Sequence, residues 1–331
     1  MNKRHLLQRT LLLAAAPSCG VFLSAARAQS SGSLTPGKPV TVVVPYATGG
    51  AVDAVARLVS QQLAGPLGNP VVVDNRTGAG GAIGWGSVAR AAPDGHTLGA
   101  IDLSYAIAAS LVPNLPFDAR KALVHITTAA TVPHVIVVNP QVEARTMAEF
   151  IALLKAKPGR MNYGSGGVGT NTHLGAELFK AQTGTFMTHI PYRGAGGVLT
   201  DLMGGQVQML VTTVATALPH VKAGKLRALM VMGEQRSPVL PDVPSARESG
   251  LPGLAMDFWV GFAAPAGTPQ PLIDKFNRDI ATVLAMPDTK KRMAELGLTP
   301  VGSSQADTAQ RVDSEMKRWA ELIRRQGIKP D

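Results

Sequence analysis

Two consecutive copies of one strand–helix–strand pattern constrain the fold of this chain more than any other feature of its sequence. In the first copy, the apolar run 40–44 precedes an amphipathic segment 51–68, and strand-like runs 70–75 and 96–102 flank a short helical segment 81–92. Short β-branched runs that alternate with segments of helical periodicity are typical of βαβ units. Such units form a parallel sheet through right-handed crossovers, so we predict an α/β fold.

The second copy repeats this order further along the chain. It has strands at 160–164, 186–192 and 207–213, with helices at 171–184 and 197–205 between them. The loops are repeated as well, because a glycine-rich loop opens the first helix of each copy. The second strand of each copy then ends in an arginine followed by a glycine-rich stretch, as in "NRTGAGG" and "YRGAGG". We infer two similar α/β lobes, each presenting a glycine-rich helix N-terminus.

Two apolar runs, each stopped by a proline, enclose the second copy. They are 134–140 and 259–269, and we predict that they are strands crossing between the lobes as a hinge. The amphipathic helices 271–285 and 305–326 have no further βαβ unit to join, so we expect them to pack on the first lobe. The predicted boundaries are 36–133 plus 256–331 for the first lobe and 134–255 for the second.

The first 28 residues have the pattern of a secretory signal. Lys3 and Arg4 give a basic start, the stretch 11–24 is mostly apolar and small, and the triplet 26–28 has the small-x-small form that signal peptidase cleaves. We predict export to the periplasm with cleavage after Ala28. The alternative, a buried first helix, is disfavoured by the polar stretch that follows at once.

Composition excludes several classes of function. The single cysteine, Cys19, lies in the signal segment, which excludes disulfides and cysteine-based metal sites from the mature chain. Removing residues 1–28 takes away four basic residues and no acidic one, so the formal charge falls from +10 to +6. This surplus suits an anionic small ligand, and no nucleic-acid-binding motif is present. Without HExxH or GxSxG motifs, we expect neither an enzyme nor a metal or cofactor.

The stretch "YGSGGVGTNTH" contains a GxGxxG pattern, which has three interpretations. A dinucleotide site needs an acidic residue at the end of the next strand, but that strand ends in Tyr192-Arg193, so an NAD(P)-dependent oxidoreductase remains only an alternative. The loop could instead be a tight turn that caps the following helix through Thr170 or Asn171. Finally, consecutive amides at a helix N-terminus bind any anion, including a carboxylate.

Other candidates have weaker signals. Asp53 lies in the first turn of the first helix, where it either balances the helix dipole or presents a carboxylate to the ligand. Thr212 and Thr213 end a predicted parallel strand, where ligands of open α/β sheets bind. His173 lies in the first turn of a helix and is either a ligand contact or a core residue.

The order of several motifs resembles the Bug receptors, the periplasmic solute receptors of tripartite tricarboxylate transporters. The similarity extends over nearly the whole chain and is carried by "GGAVDAVARLVSQQLAGPLGNPVVVDNRTGAGGAIGWGSVARAAPDGHTL", "NYGSGGVGTNTHLGAELF", "IPYRGAGGVLTDLMGGQV", "ALPHVKAGKLRALMV", "RSPVLPDVPSARESGLPG" and "WVGFAAPAGTP". It implies a two-lobed periplasmic-binding-protein fold of type II, with mainly parallel sheets joined by two crossover strands. The implied function is non-catalytic capture of a small carboxylate by hinge closure.

The resemblance also implies partners and ligand-binding residues. The implied partners are the membrane permease subunits of a tripartite transporter, and a sensing subunit for a signalling partner is the alternative; we expect a monomer. Ala47-Thr48 and Gln208 replace a proline and an aspartate that are frequent in the family, which leaves Asp53 as the main acidic group for a ligand. The implied carboxylate pincer comprises Tyr46, Ala47, Gly49, Gly50, Ala51, Asp53, Ser165, Gly166, Gly167, Gly169 and Thr170, with Ser104, His173, Arg193, Thr212 and Thr213 as further candidates.

Overall fold

The computed structural model describes residues 32–112 and 115–326. The predicted signal segment, residues 1–28, lies outside the described residues. Within the described ranges, none of the helices combines the length and the apolar character that a membrane span requires.

The described chain alternates strands and helices along most of its length. The strands are β1 Val40–Val44, β2 Val71–Asn75, β3 Thr97–Asp102, β4 Leu123–Val138, β5 Asn162–Ser165, β6 Thr188–Pro191, β7 Met209–Thr213, β8 Arg227–Met232, β9 Asp257–Pro265 and β10 Thr299–Pro300. The helices are α1 Ala51–Leu67, α2 Ala82–Ala89, α3 Leu103–Leu111, α4 Met147–Ala156, α5 Asn171–Thr183, α6 Ala195–Met203, α7 Val214–Lys222, α8 Gln270–Ala285, α9 Pro287–Glu295 and α10 Gln305–Gln326. Short 3₁₀ turns occupy Ala79–Gly81 and Pro252–Leu254.

The first half of the molecule is built on β1, which pairs in parallel with β2 and β3. Most of β1 is buried because helices cover this sheet, and Val52, Val55, Val59 and Leu63 form the buried stripe of α1. β9 then pairs antiparallel with β3 and with the first part of β4. This arrangement places the carboxyl ends of β1 and β3, and the loops that follow them, at one edge of the sheet.

The second half has the same parallel core, in which β5 lies between β6 and β7. β7 and β8 both pair antiparallel with the last residues of β4, from His134 to Val138. The predicted βαβ order is therefore found in both halves. The sequence reasoning did not predict α3, α4, α7, α9 or β8.

The chain crosses between the halves at two places, and the second crossing lies just before the run predicted for it. β4 pairs with β9 as far as Pro133 and with β7 and β8 from His134, so it continues from one half into the other. β9 pairs with β3 and with residues 123–133 of β4, so the second crossing lies before β9 and not within the predicted run 259–269. The chain returns at Met256, whose N–H donates to the carbonyl oxygen of Met232 at 2.8 Å. Both apolar runs end at a proline in the sequence, and the proline does not show where along a run the chain crosses.

The C-terminal helices cover the first half. Asn277 of α8 donates a hydrogen bond to the carbonyl oxygen of Ile126 in β4 at 2.8 Å. Arg120 pairs with Asp313 of α10 at 3.1 Å, and Trp319 of α10 is buried. Both helices therefore pack where the sequence places them, on the strands that precede position 134.

Candidate ligand-binding site

A narrow cavity of about 60 Å³ lies between the two halves, at the carboxyl ends of β1, β3 and β7. This volume holds a few water molecules, since one water needs roughly 10 to 15 Å³ on the same scale. Apolar, hydroxyl and carboxyl groups share its wall. The lining residues are Tyr46, Ala47, Gly50, Ala51, Val52, Asp53, Asp102, Gly166, Thr170, Asn171, Thr172, Gly194, Val198, Leu210, Thr212, Thr213, Thr216 and Phe258.

The loop after β1 directs the N-terminus of α1 at this cavity. Gly49 has φ +92°, a conformation that glycine adopts without strain, and this turns the chain into the helix. The helix begins after Gly50, which has no side chain to cap it. Ala51 and Val52 in the first turn line the cavity. The positive end of the helix dipole therefore faces the cavity, as anion binding requires.

Asp53 organises this loop and has little capacity left for a ligand. One of its oxygens accepts from Gly49 N at 3.1 Å and the other from Asn75 Nδ2 at 3.0 Å. The Nε of Arg57 lies 3.0 Å from both oxygens. Burial by itself would raise the pKa of Asp53, but these hydrogen bonds lower it below its ordinary value. Asp53 is therefore an ionised support for the loop, and its role as the main acidic group for the ligand stays a prediction.

The glycine loop after β5 uses its amides internally. Gly166 N donates to Thr172 Oγ1 at 2.8 Å, and Gly167 N donates to Ser165 Oγ at 3.1 Å. Thr170 then caps α5, because its Oγ1 accepts from the backbone of the first turn. The amides that the sequence assigned to anion binding thus have protein acceptors already. The helix-capping interpretation describes this loop well, although Gly166 and Thr170 still line the cavity.

The N-terminus of α6 is the second helix end at the cavity without a side-chain cap. Its N-cap is Gly194, which has φ +112° and lines the cavity. A Cβ on Gly194 would lie 3.2 Å from Ala47 N, so the loop before α6 touches the loop before α1. α7, by comparison, is capped by its own Thr213. Within the described ranges, the uncapped helix N-termini that face the cavity therefore belong to α1 in the first half and α6 in the second.

Asp102 is a cavity residue that the sequence reasoning missed. It is completely buried at the end of β3 and caps α3, accepting at Oδ1 from Ser104 N at 2.8 Å and from Tyr105 N at 3.3 Å. The hydroxyl of Tyr46 also donates to Oδ1, at 3.2 Å. Burial raises the pKa of Asp102 to about 7, and it raises the pKa of Tyr46 above its ordinary value. An acidic residue at the carboxyl end of a parallel strand was the available signal.

Hydrogen bonds and backbone contacts hold the two halves together beside the cavity. Asn171 of α5 donates from its backbone N and its Nδ2 to Ser104 Oγ of α3, at 3.0 and 2.8 Å. Its Oδ1 lies 2.7 Å from Nε2 of His134 in β4. A Cβ on Gly80 would lie 2.5 Å from the carbonyl oxygen of Val168. These contacts define a closed arrangement of the halves.

The predicted site residues separate into two groups. Those at the cavity wall are Tyr46, Ala47, Gly50, Ala51, Asp53, Gly166, Thr170, Thr212 and Thr213. Those that do not line it are Gly49, Ser104, Ser165, Gly167, Gly169, His173 and Arg193. Most of the second group support the wall: His173, for example, accepts from Gly169 N at 3.4 Å, and Ser104 bonds Asn171. Arg193 is exposed. The wall residues not foreseen are Val52, Asp102, Asn171, Thr172, Gly194, Val198, Leu210, Thr216 and Phe258.

Two α/β halves that direct helix N-termini at a cavity between them define a solute-binding protein of the periplasmic type. The family model described as "Tripartite tricarboxylate transporter family receptor" matches residues 55–328. The chain therefore belongs to the receptor family of the tripartite tricarboxylate transporters, and it is a ligand-binding receptor for transporters, as the resemblance in its sequence implied.

Similar proteins agree with this assignment. The BugT protein of Bordetella pertussis is 35% identical over 94% of this chain and 96% of its own length. The structure of the periplasmic binding protein BugD superposes with a TM-score of 0.87 at 31% identity, covering 90% of this chain and all of that one. MatC from Rhodopseudomonas palustris, solved with bound malate, gives a TM-score of 0.84 at 33% identity, with coverage of 87% and 100%. R. palustris Rpa4515, solved with adipate, superposes with a TM-score of 0.86 at 31% identity, covering 88% of this chain and 98% of that one.

Proposed function

We propose that this protein captures a small carboxylate in the cavity between its halves and delivers it to the membrane permease subunits of a tripartite transporter. One observation carries the proposal: two helix N-termini without side-chain caps, one from each half, face the cavity. Among the described residues, those lining this cavity include no lysine or arginine. Backbone amides at the N-termini of α1 and α6 are then the donors for the ligand carboxylate. The relatives solved with malate and adipate support this ligand class.

In this proposal the two halves move as lobes, 36–133 plus 256–331 against 134–255. The ligand touches groups from both lobes only when they close, so it binds the closed state more tightly and shifts the equilibrium toward it. The protein acts as a monomer without catalysis. It is exported to the periplasm, and the signal segment is removed after Ala28.

A carboxylate series tests the ligand class. We expect mono-, di- or aromatic carboxylates, malate and adipate among them, to raise the unfolding temperature of the mature protein. A ligand at about one hundred times its Kd stabilises the folded state by about 2.7 kcal/mol. Differential scanning fluorimetry measures the shift, with NADH, NADPH and uncharged amides of the same acids as controls. Stabilisation by a dinucleotide and by none of the acids would support the oxidoreductase alternative instead.

Ala51→Pro tests the α1 amide. Ala51 is the first residue of α1, where proline is well tolerated, and Gly50 before it is extended, with φ −86° and ψ 168°. The variant removes one amide N–H that faces the cavity, so we expect the Kd for a carboxylate to rise about tenfold or more. The unfolding temperature without ligand is expected to stay the same.

Ala51→Gly is the matched control for this variant, because it removes the methyl group and retains the N–H. Titration calorimetry with the same acid compares the three proteins. Equal affinity of Ala51→Pro and Ala51→Gly would exclude the α1 N-terminus as the carboxylate site.

A further inference from the structure

Asp102 combines complete burial, a place at the cavity wall and an oxygen without a partner. Its Oδ1 accepts the hydrogen bonds from Tyr46, Ser104 and Tyr105. No group in the described ranges donates to its Oδ2. An unsatisfied buried carboxylate oxygen costs free energy, so a buried polar atom in this position calls for a partner. The cavity is where a ligand would supply one.

The charges around Asp102 determine the form in which it meets a ligand. Asp53, which also lines the cavity, is held ionised by Arg57, and the described part of the chain places neither lysine nor arginine at the cavity wall. The other titratable groups around it are the phenols of Tyr46 and Tyr105, and His134, which is connected to α3 through Asn171 and Ser104. On β9, Asp257 is exposed, and it is Val260 that lies opposite Asp102. No described cation therefore faces Asp102 to neutralise it.

A bound carboxylate would place a further negative charge in this closed space. Two ionised carboxylates in contact repel each other, and one of them takes up a proton. We infer that Asp102 contacts the ligand as the neutral carboxylic acid, donating a hydrogen bond from Oδ2 to a ligand oxygen, so that one proton is taken up when the carboxylate binds. The proton comes from solvent and adds to Oδ2, and no covalent bond of the ligand changes. This inference rests on the proposed function.

The position of Asp102 makes this proton uptake observable near neutral pH. Burial raises the pKa of its carboxyl to about 7 in the ligand-free protein, so both forms are populated there. The ligand need not be protonated, because simple dicarboxylates such as malate and adipate are ionised throughout this range. The ligand class that follows is a carboxylate with an oxygen that accepts the hydrogen bond from Asp102. That oxygen belongs either to the carboxylate itself or to a second acidic group.

Titration calorimetry of the mature protein with malate, adipate, succinate and benzoate tests the inference. Each acid that binds is titrated at about pH 8 in buffers of different ionisation enthalpy, which gives the number of protons taken up. We expect close to one proton, and a Kd that rises about tenfold per pH unit above pH 7. A proton number near zero with a flat Kd overturns the inference, and so does an affinity that rises with pH. Binding without proton uptake leaves the proposed function standing, whereas failure of every acid to bind removes both.

Asp102→Asn distinguishes proton uptake by Asp102 from proton uptake by the histidines. The asparagine amide donates a hydrogen bond at every pH, so we expect the variant to bind without proton uptake and about tenfold more tightly than wild type at pH 8. The control is Asp94→Asn, which removes a charge at the surface ion pair with Lys38 and should retain the wild-type proton uptake. Loss of binding at all pH values in a folded Asp102→Asn protein would show that the ligand needs an ionised acceptor.

Discussion

Gly80→Ala is expected to weaken carboxylate binding by about a hundredfold while the protein still folds. The added Cβ would lie 2.5 Å from the carbonyl oxygen of Val168, and both partners are backbone. Neither can move aside by a side-chain rotation, so the methyl group keeps the loop after β2 away from the loop before α5. Overpacking of this kind costs up to about 3 kcal/mol, which corresponds to about a hundredfold in Kd. Because the contact joins the two halves, we expect the added methyl group to destabilise the closed state and not the separate halves.

A second glycine provides the control for backbone strain. Gly80 and Gly224 have φ +61° and +69°, so alanine is similarly strained at both, but a Cβ on Gly224 meets no atom within 4 Å. Titration calorimetry should find near wild-type affinity for Gly224→Ala. Small-angle scattering should show that ligand reduces the radius of gyration of Gly224→Ala and not of Gly80→Ala. Equal affinities of the two variants would contradict the closure mechanism.

Asp102→Asn is expected to change how the stability of the ligand-free protein depends on pH. Asp102 has a folded-state pKa of about 7 against an ordinary value of 3.8. The unfolded chain therefore loses this proton at a lower pH than the folded one, and the stability contributed by Asp102 is complete below pH 4 and is lost as pH rises to 7. The loss is about 4 kcal/mol, at about 1.4 kcal/mol per pH unit. Asparagine caps α3 equally well and does not ionise.

Urea unfolding of both proteins between about pH 5 and pH 8 measures this difference. We expect Asp102→Asn to gain stability relative to wild type as pH rises, by about 2 to 3 kcal/mol over that range. Asp94→Asn is again the control. Hydrogen bonds from Lys38 and His96 outweigh burial and lower the pKa of Asp94 below its ordinary value, so Asp94 is ionised in both the folded and the unfolded protein over this range, and its removal should leave the pH profile parallel to that of wild type. Parallel pH profiles of wild type and Asp102→Asn would show that Asp102 is not a titrating group of raised pKa.

The sequence predicts the repeated βαβ units well, because their periodicity is local. The helices 171–184 and 305–326 were placed to within a residue of α5 and α10. α3 was missed because "LSYAIAASL" is apolar all round, so it has no helical stripe to detect, and seven of its residues are buried. The position of the second crossing, at Met256 and not within 259–269, was missed for another reason: which half a residue joins depends on its pairing partners, and these are distant in sequence.

The site was predicted in part for similar reasons. The loop before α1 could be recognised, because a pair of glycines before an amphipathic helix already defines a helix N-terminus without a cap. In the loop before α5, the hydrogen bond from Gly166 N to Thr172 Oγ1 depends on the rotamer of Thr172. The residue types alone do not fix that rotamer. The raised pKa of Asp102 depends on its complete burial, so it becomes visible only after folding.

The pairing of β4 and β9 has a consequence for the order in which the halves can form. All strands of the second half lie between positions 134 and 232, so that half can complete its sheet from a continuous piece of chain. In the first half, β3 and the start of β4 pair with β9, more than a hundred residues later. Contacts that distant form slowly, and the strand edges stay unpaired until they do. The half that begins the chain is therefore the last to be completed, and until β9 pairs with β3 and β4 its unpaired strand edges are open to contact with other chains.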